Sequence, residues 1–178
     1  MNTQTPIMLE AQKAKQTKNI FMRYTKEDRN NALKAIAKSL NSNKELIEET
    51  NQRDIDRALE LKLSSALIDR LKLNQERVTA IANSVAEIVS QPEVVGAITE
   101  SNTREDGLKI EKQRIPIGVI GMIFESRPNV VVDCSALAIK SGNCIILKGG
   151  KEAQETNALL GRIIREAIKE FIPEDVVQ

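Results

Sequence analysis

Between Arg114 and Lys151 the chain reads RIPIGVIGMIFESRPNVVVDCSALAIKSGNCIILKGGK, and no other stretch constrains the fold as strongly. An apolar run from Ile115 to Phe124, broken only by Pro116, Gly118 and Gly121, ends in the polar turn Glu125-Ser126-Arg127-Pro128-Asn129. A helix-length segment follows from Val130 to Lys140. Then come a Ser141-Gly142-Asn143 stop, a second apolar run from Cys144 to Leu147, and Lys148-Gly149-Gly150-Lys151. Strand, polar loop, helix, glycine turn, strand, glycine-rich loop is the pattern of a βαβ unit. Loops at the carboxyl ends of such strands are where α/β proteins hold ligands.

The region before this unit, residues 1–96, reads as helices. Residues 5–24 form a polar segment with a weak stripe of Ile7, Leu9, Ala11, Ala14 and Ile20. Thr25 and Asp28 have the spacing of a capping box opening a helix to about Leu40, with Leu33, Ile36, Ala37 and Leu40 on one face. Asn41-Ser42-Asn43 breaks it. A second helix runs from Lys44 to about Leu61, apolar at Leu46, Ile47, Ile55, Ala58 and Leu59 but polar from Glu48 to Asp54. Ser64-Ser65 caps a short helix through Leu71. Asn74 caps a longer one bearing Val78, Ile81, Ala82, Val85, Ile88 and Val89 on one side, which Gln91-Pro92 stops. These helices read as scaffold.

Residues 97–113 change character. Two short segments flank Glu105-Asp106-Gly107, and Asp-Gly is a hairpin signal. Residues 114–178 hold the βαβ unit, an amphipathic helix from Glu152 to Glu170, and Asp175-Val176-Val177-Gln178, which reads as the first turn into another strand. One crossover and a strand just begun do not make a parallel sheet covered on both faces. The fold class is therefore α/β, a helical leader followed by the first, incomplete part of a Rossmann-type domain.

Composition narrows function by exclusion. The net charge of +1 is spread evenly, and the four aromatic residues (three Phe, one Tyr, no Trp) offer no base-stacking platform, so nucleic acid is not an expected partner. No apolar run approaches the roughly 20 residues of a membrane span. The N-terminus lacks the apolar core of a signal peptide, and two cysteines without paired spacing fit a reducing cytoplasm. There is no histidine, which removes the commonest metal ligand and general base.

Two loops could carry chemistry. Lys148-Gly149-Gly150-Lys151, between strand and helix, is either an ordinary turn or a phosphate site of backbone N–H groups, a positive helix end and two lysines. It matches neither the Walker P-loop nor the G-x-G-x-x-G fingerprint. Glu125 to Asn129 is either a turn whose Asn129 caps the helix at Val130, or a loop whose Arg127 and Asn129 grip an anionic group. Cys134 and Cys144 lie in apolar segments and read as structural.

P-x-G-V-I-G, E-S-R-P-N-V, K-x-G-N and L-K-G-G-K-E, in that order and spacing, resemble the γ-glutamyl phosphate reductase (glutamate-5-semialdehyde dehydrogenase) branch of the aldehyde dehydrogenase superfamily. The helical leader, including LSSALIDRLKLNQERV, resembles it too. The resemblance implies a cytoplasmic, homo-oligomeric parent enzyme of proline biosynthesis that reduces L-glutamate 5-phosphate with NADPH to the 5-semialdehyde and phosphate. A cysteine displaces the phosphate, and hydride reduces the resulting thioester.

Residues 114–178 then correspond to part of an NADP-binding domain. Lys148 matches the lysine that reaches the adenosine ribose, and Lys148, Gly149, Gly150 and Lys151 together become the expected cofactor-binding set. Three residues after that lysine, relatives that prefer NAD often carry Glu for the ribose hydroxyl. Here Lys151 would instead attract a 2′-phosphate. Arg127 and Asn129 fall where the family's substrate-facing loop begins. Neither cysteine falls at the family's nucleophile position, so no catalytic residue is assigned, and the chain is expected to resemble only the N-terminal part and to be inactive alone. The alternative is a non-catalytic interaction module that associates with full-length subunits or with a separately encoded C-terminal half.

Overall fold

A computed structural model describes residues 5–178, apart from the side chain of Pro6. Among the described residues, seven α-helices and four strands follow in the order α1 (Pro6–Phe21), α2 (Lys26–Ser42), α3 (Lys44–Glu60), α4 (Ser65–Leu71), α5 (Gln75–Ser90), β1 (Ile98–Thr103), β2 (Lys109–Gln113), β3 (Val119–Ile123), α6 (Asn129–Lys140), β4 (Cys144–Lys148) and α7 (Gln154–Ile168). Short 3-10 turns cover Lys151–Ala153 and Glu174–Val176.

The helix starts follow from their caps. The capping box at Thr25 is reciprocal: Asp28 N–H donates to Thr25 Oγ1 at 3.2 Å and Thr25 N–H to Asp28 Oδ2 at 2.8 Å. Asn74 accepts from Arg77 N–H at 3.0 Å and opens α5. The expected break at Asn41-Ser42-Asn43 is a single residue. The helix continues through Ser42 because Asn43 Nδ2 donates back to Ser39 O at 2.8 Å, and α3 starts at Lys44.

Two helices bury polar residues that their apolar patterns leave out. In α1, Ala14, Thr17 and Phe21 are buried at i, i+3 and i+7, while Ile7, Leu9 and Ile20 are exposed. In α3 the polar middle is not a solvated face: Thr50, Asn51 and Asp54 are buried beside Ile47, Ile55 and Ala58.

β3 and β4 pair in parallel, Val119 against Cys144 through Ile123 against Lys148, with α6 as the crossover. Pro116 and the positive φ of Gly118 keep Ile115 to Gly118 out of the ladder, so the strand is shorter than its apolar run. Gly142 ends α6 at φ +73°, where a Cβ would stand 2.9 Å from Pro116 Cγ, so a side chain there would meet both strain and a wall. Asn143 Oδ1 then accepts Gly118 N–H at 2.8 Å and locks the start of β3 to the start of β4. Val177 bridges Ile145 in parallel, with Leu147 N–H donating to Gln178 O at 2.7 Å and Gln178 N–H to Ile145 O at 2.9 Å, so a third parallel strand begins as the sequence suggests.

β1 and β2 form the antiparallel hairpin around Gly107 (φ +85°), and every residue of both strands is exposed. One apolar core joins α1, α2, α5, α6, α7 and the β3–β4 pair, so the helices and the βαβ unit fold as one packing unit.

Candidate cofactor and substrate loops

The parallel register sets the loops after β3 and β4 side by side, and Phe124 N–H donating to Lys148 O at 3.0 Å extends the pairing into them. What fastens them is Glu152. Its carboxylate accepts from both the N–H and the hydroxyl of Ser126, each at 2.7 Å, and Ser126 is buried. Bonds from its own backbone N–H and from Ser126, with the Lys148 charge nearby, hold the Glu152 carboxyl below the usual carboxylate range despite partial burial. A Cβ on Gly150 would collide with this carboxylate and push it away from Ser126.

Because the folded-state value is lowered, the Ser126–Glu152 tie is fully present above the ordinary Glu value near 4.3 and is lost as pH falls through the lowered one. Glu152→Gln is expected to reduce hydrogen-exchange protection of the Ser126 amide about tenfold at neutral pH. Unchanged protection would show that the loop is held by other means.

The start of α7 is also spoken for. Its own N-cap, Ala153, has no side-chain bond. Asp54 of α3, with its side chain fully buried, caps it across the fold: Oδ2 accepts Thr156 N–H at 2.8 Å and Thr156 Oγ1–H at 2.7 Å, and Oδ1 accepts Glu155 N–H at 3.4 Å. Asn51 completes the cluster, donating to Leu71 O at 3.0 Å and to Thr156 Oγ1 at 3.3 Å and accepting Leu73 N–H at 2.7 Å. The sequence suggested helix N–H groups open to an anion. In the folded chain those of Glu155 and Thr156 serve Asp54, and that of Glu152 serves its own side chain. Positive charge at this loop is left to Lys148 and Lys151, both exposed. Lys148 Nζ donates to Gly149 O at 2.8 Å.

A cavity of about 610 Å³ opens beside the loop, between the carboxyl end of β4 and α7. Gly149, Phe124, Asn157, Gly161 and Arg162 are among its walls, and a Cβ on Gly149 would collide with the Asn157 amide and press on the Phe124 ring at 3.1 Å. Gly149 is the one member of the expected cofactor set on this wall. Asn157 and Arg162 were missed in the sequence because they lie on the polar side of an amphipathic helix. Residues 149–150 leave backbone open to a ligand and the flanking lysines supply charge, so the loop fits the phosphate-bearing adenosine end of a dinucleotide.

On the other loop, Arg127 is exposed, and Asn129 does not cap α6. The helix begins at Asn129 itself, with Pro128 at the N-cap, and Asn129 Nδ2 donates to Asp133 Oδ2 at 2.9 Å. Burial pushes the Asp133 carboxyl up, partly offset by that bond. Both thiols are poor nucleophiles. Burial, with the Asp175 charge, raises Cys144 to about 11, and burial beside Asp133 raises Cys134. Among the described residues no cluster of metal-ligating side chains occurs.

Comparison with known proteins places this arrangement. The aldehyde dehydrogenase family model matches residues 2–178. The γ-glutamyl phosphate reductase of Petrotoga mobilis is 43% identical over 179 residues, covering 100% of this chain and 43% of the relative. That of Clostridium perfringens is 41% identical over 173 residues, with 97% and 42% covered. The crystal structure of the Thermotoga maritima γ-glutamyl phosphate reductase superposes with a TM-score of 0.95 at 38% identity, covering 98% of this chain and 42% of that one. An acetylating aldehyde dehydrogenase from Geobacillus thermoglucosidasius, at 16% identity and a TM-score of 0.73, shares the fold. This chain thus spans about two-fifths of the length of the reductases it matches. A βαβ unit with stapled loops at its carboxyl edge, a helical layer packed into the same core and a family match along nearly all its length make this chain a member of the aldehyde dehydrogenase family.

Proposed function

We propose that this chain carries the cofactor loop of an NADPH-dependent γ-glutamyl phosphate reductase, which converts L-glutamate 5-phosphate to L-glutamate 5-semialdehyde and phosphate. The observation that carries the reading is Lys151. It is exposed, stands three residues beyond Lys148 at the carboxyl end of β4, and lies in a turn whose neighbouring N–H groups are already given to carboxylates. A cation there suits the 2′-phosphate that distinguishes NADPH from NADH. Lys148, Gly149, Gly150 and Lys151 would hold the adenosine end of the cofactor, which supplies hydride when bound. Arg127, exposed on the adjoining loop, would meet the substrate's phosphate or carboxylate, and Asn129 would orient that loop through its bond to Asp133. The parent protein would be a cytoplasmic homo-oligomer.

Neither Cys134 nor Cys144 is poised as a thiolate, so the chain alone is expected to give no NADPH oxidation dependent on glutamate 5-phosphate. A family-length protein carrying this segment is expected to give it. Turnover by the 178-residue chain alone would overturn the assignment of the nucleophile elsewhere.

A second reading is a non-catalytic module that joins full-length subunits or a separately encoded C-terminal half. Exposed isoleucines favour it: Ile123, at the carboxyl end of β3 beside the loops, is 83% accessible, and Ile117, ahead of β3 at its other end, is 84% accessible. Activity restored on mixing with such a half would support this reading, and a monomer with no affinity for NADPH would count against both.

A further inference from the structure

α6 turns one side into the core, where Val132, Ala136 and Ile139 are fully buried. Asp133 and Leu137, one turn apart, lie on the other side, with Asn129 at its edge. Asn129 and Asp133 are half-buried there and Leu137 is exposed. This side begins where the loop from Glu125 to Asn129 leaves the carboxyl end of β3, so Asp133 stands only four residues, roughly 6 Å along the helix axis, from that loop.

Asp133 is a carboxylate without a cation. The ion pairs among the described residues include neither Asp133 nor Arg127, although the two flank the start of the same helix. Its Oδ2 accepts the Asn129 amide at 2.9 Å. Its Oδ1, like the Oδ1 of Asn129, takes no bond among the described residues, and neither oxygen is shut off from solvent. Burial pushes the carboxyl up and the Asn129 bond only partly offsets it, so the helix has stripped water from this group without supplying a positive charge.

Resting on the reductase reading above, we propose that Asp133, held by Asn129, binds the α-ammonium group of the substrate and selects an amino acid over its des-amino counterpart. An ammonium carries three N–H donors. The two open oxygens, Oδ1 of Asp133 and Oδ1 of Asn129, accept from it, and the bond to the carboxylate is charge-assisted. The Asn129 amide fixes the carboxylate through Oδ2 and leaves Oδ1 to the ligand. The substrate's α-carboxylate shares a carbon with its ammonium, and Arg127, exposed two residues ahead of Asn129, is the cation for it. These groups grip the end of the substrate remote from the reacting acyl carbon, so they act by binding and orientation and make no covalent bond.

The test uses a family-length enzyme carrying this segment, run in reverse with NADP+ and phosphate. Its two aldehydes are L-glutamate 5-semialdehyde and 5-oxopentanoate, the same aldehyde without the amino group. Wild type is expected to favour the amino aldehyde. Asp133→Asn keeps the side-chain shape and an acceptor for the Asn129 amide but removes the charge. It is expected to lower the ratio of kcat/KM for the two aldehydes about ten- to hundredfold. Asn129→Ala is expected to lower the same ratio by a smaller factor, and it carries the test if the Asp133 variant fails to fold. Variants that lose activity on both aldehydes by one factor, leaving the ratio unchanged, would show a structural role and overturn the proposal. A wild type active on both aldehydes without preference would overturn it alone, whereas a wild type that turns over neither would overturn the reductase reading with it.

Discussion

Asp54→Ala is expected to lower the thermal unfolding midpoint by roughly 6–20 °C, from a loss of about 3–5 kcal/mol. The residue sits on a helix far from the loops in sequence, yet its fully buried carboxylate receives two backbone N–H groups, the Thr156 hydroxyl and the Arg57 guanidinium, which is 3.3 Å away. Alanine leaves the two N–H groups and the Thr156 hydroxyl without this acceptor, while the partly exposed Arg57 keeps water and Glu155, and each unmet buried group costs about 1–3 kcal/mol. Asp54→Asn keeps an acceptor oxygen and is expected to lose less than half as much. Calorimetric or fluorimetric melts of the three proteins check this. Equal midpoints for wild type and Asp54→Ala would mean that water replaces the cap without cost. The effect extends to the site, because α7 starts directly after the Lys151–Ala153 turn.

This cap also shows where sequence reading stops. Local signals placed nearly every element. The Thr25–Asp28 box, the Asn74 cap, the Asp-Gly turn and the Gly142 stop each act through residues a few positions apart, so their physics is visible in a short window. The βαβ unit was legible for the same reason, down to the third strand begun at Val177. What the sequence concealed is polar and long-range. Asp54 to Thr156, Ser126 to Glu152 and Arg29 to Glu93 join residues 26 to 102 positions apart, and each involves a residue type that ordinarily faces water. A weak signal existed in α3, where Ile47, Asn51, Asp54 and Ala58 recur at helical spacing on one buried stripe. Hydropathy alone reads that stripe as interrupted.

The two loops were legible as a pair at the carboxyl ends of adjacent strands, but not in how they are joined. Glu152 follows the expected cofactor set by one residue, and nothing in its neighbourhood points to Ser126. α1 misled in the other direction. Its exposed Ile7, Leu9 and Ile20 outnumber its buried apolar residues, and the packing of Phe21 decides which face turns inward.

The role proposed for Lys151 is to read the cofactor's 2′-phosphate, because the neighbouring helix-end N–H groups are occupied by Asp54 and Glu152. In a family-length enzyme carrying this segment, Lys151→Glu removes a charge-assisted contact of about 1.5–3 kcal/mol and sets a like charge against the phosphate. It leaves an acceptor suited to a ribose hydroxyl. The measurement is kcat/KM for NADPH and for NADH with glutamate 5-phosphate, in wild type and variant. The NADPH-to-NADH ratio is expected to fall about a hundredfold in the variant, mostly through loss with NADPH. An unchanged ratio would contradict it and return the lysine pair to the role of an ordinary surface turn.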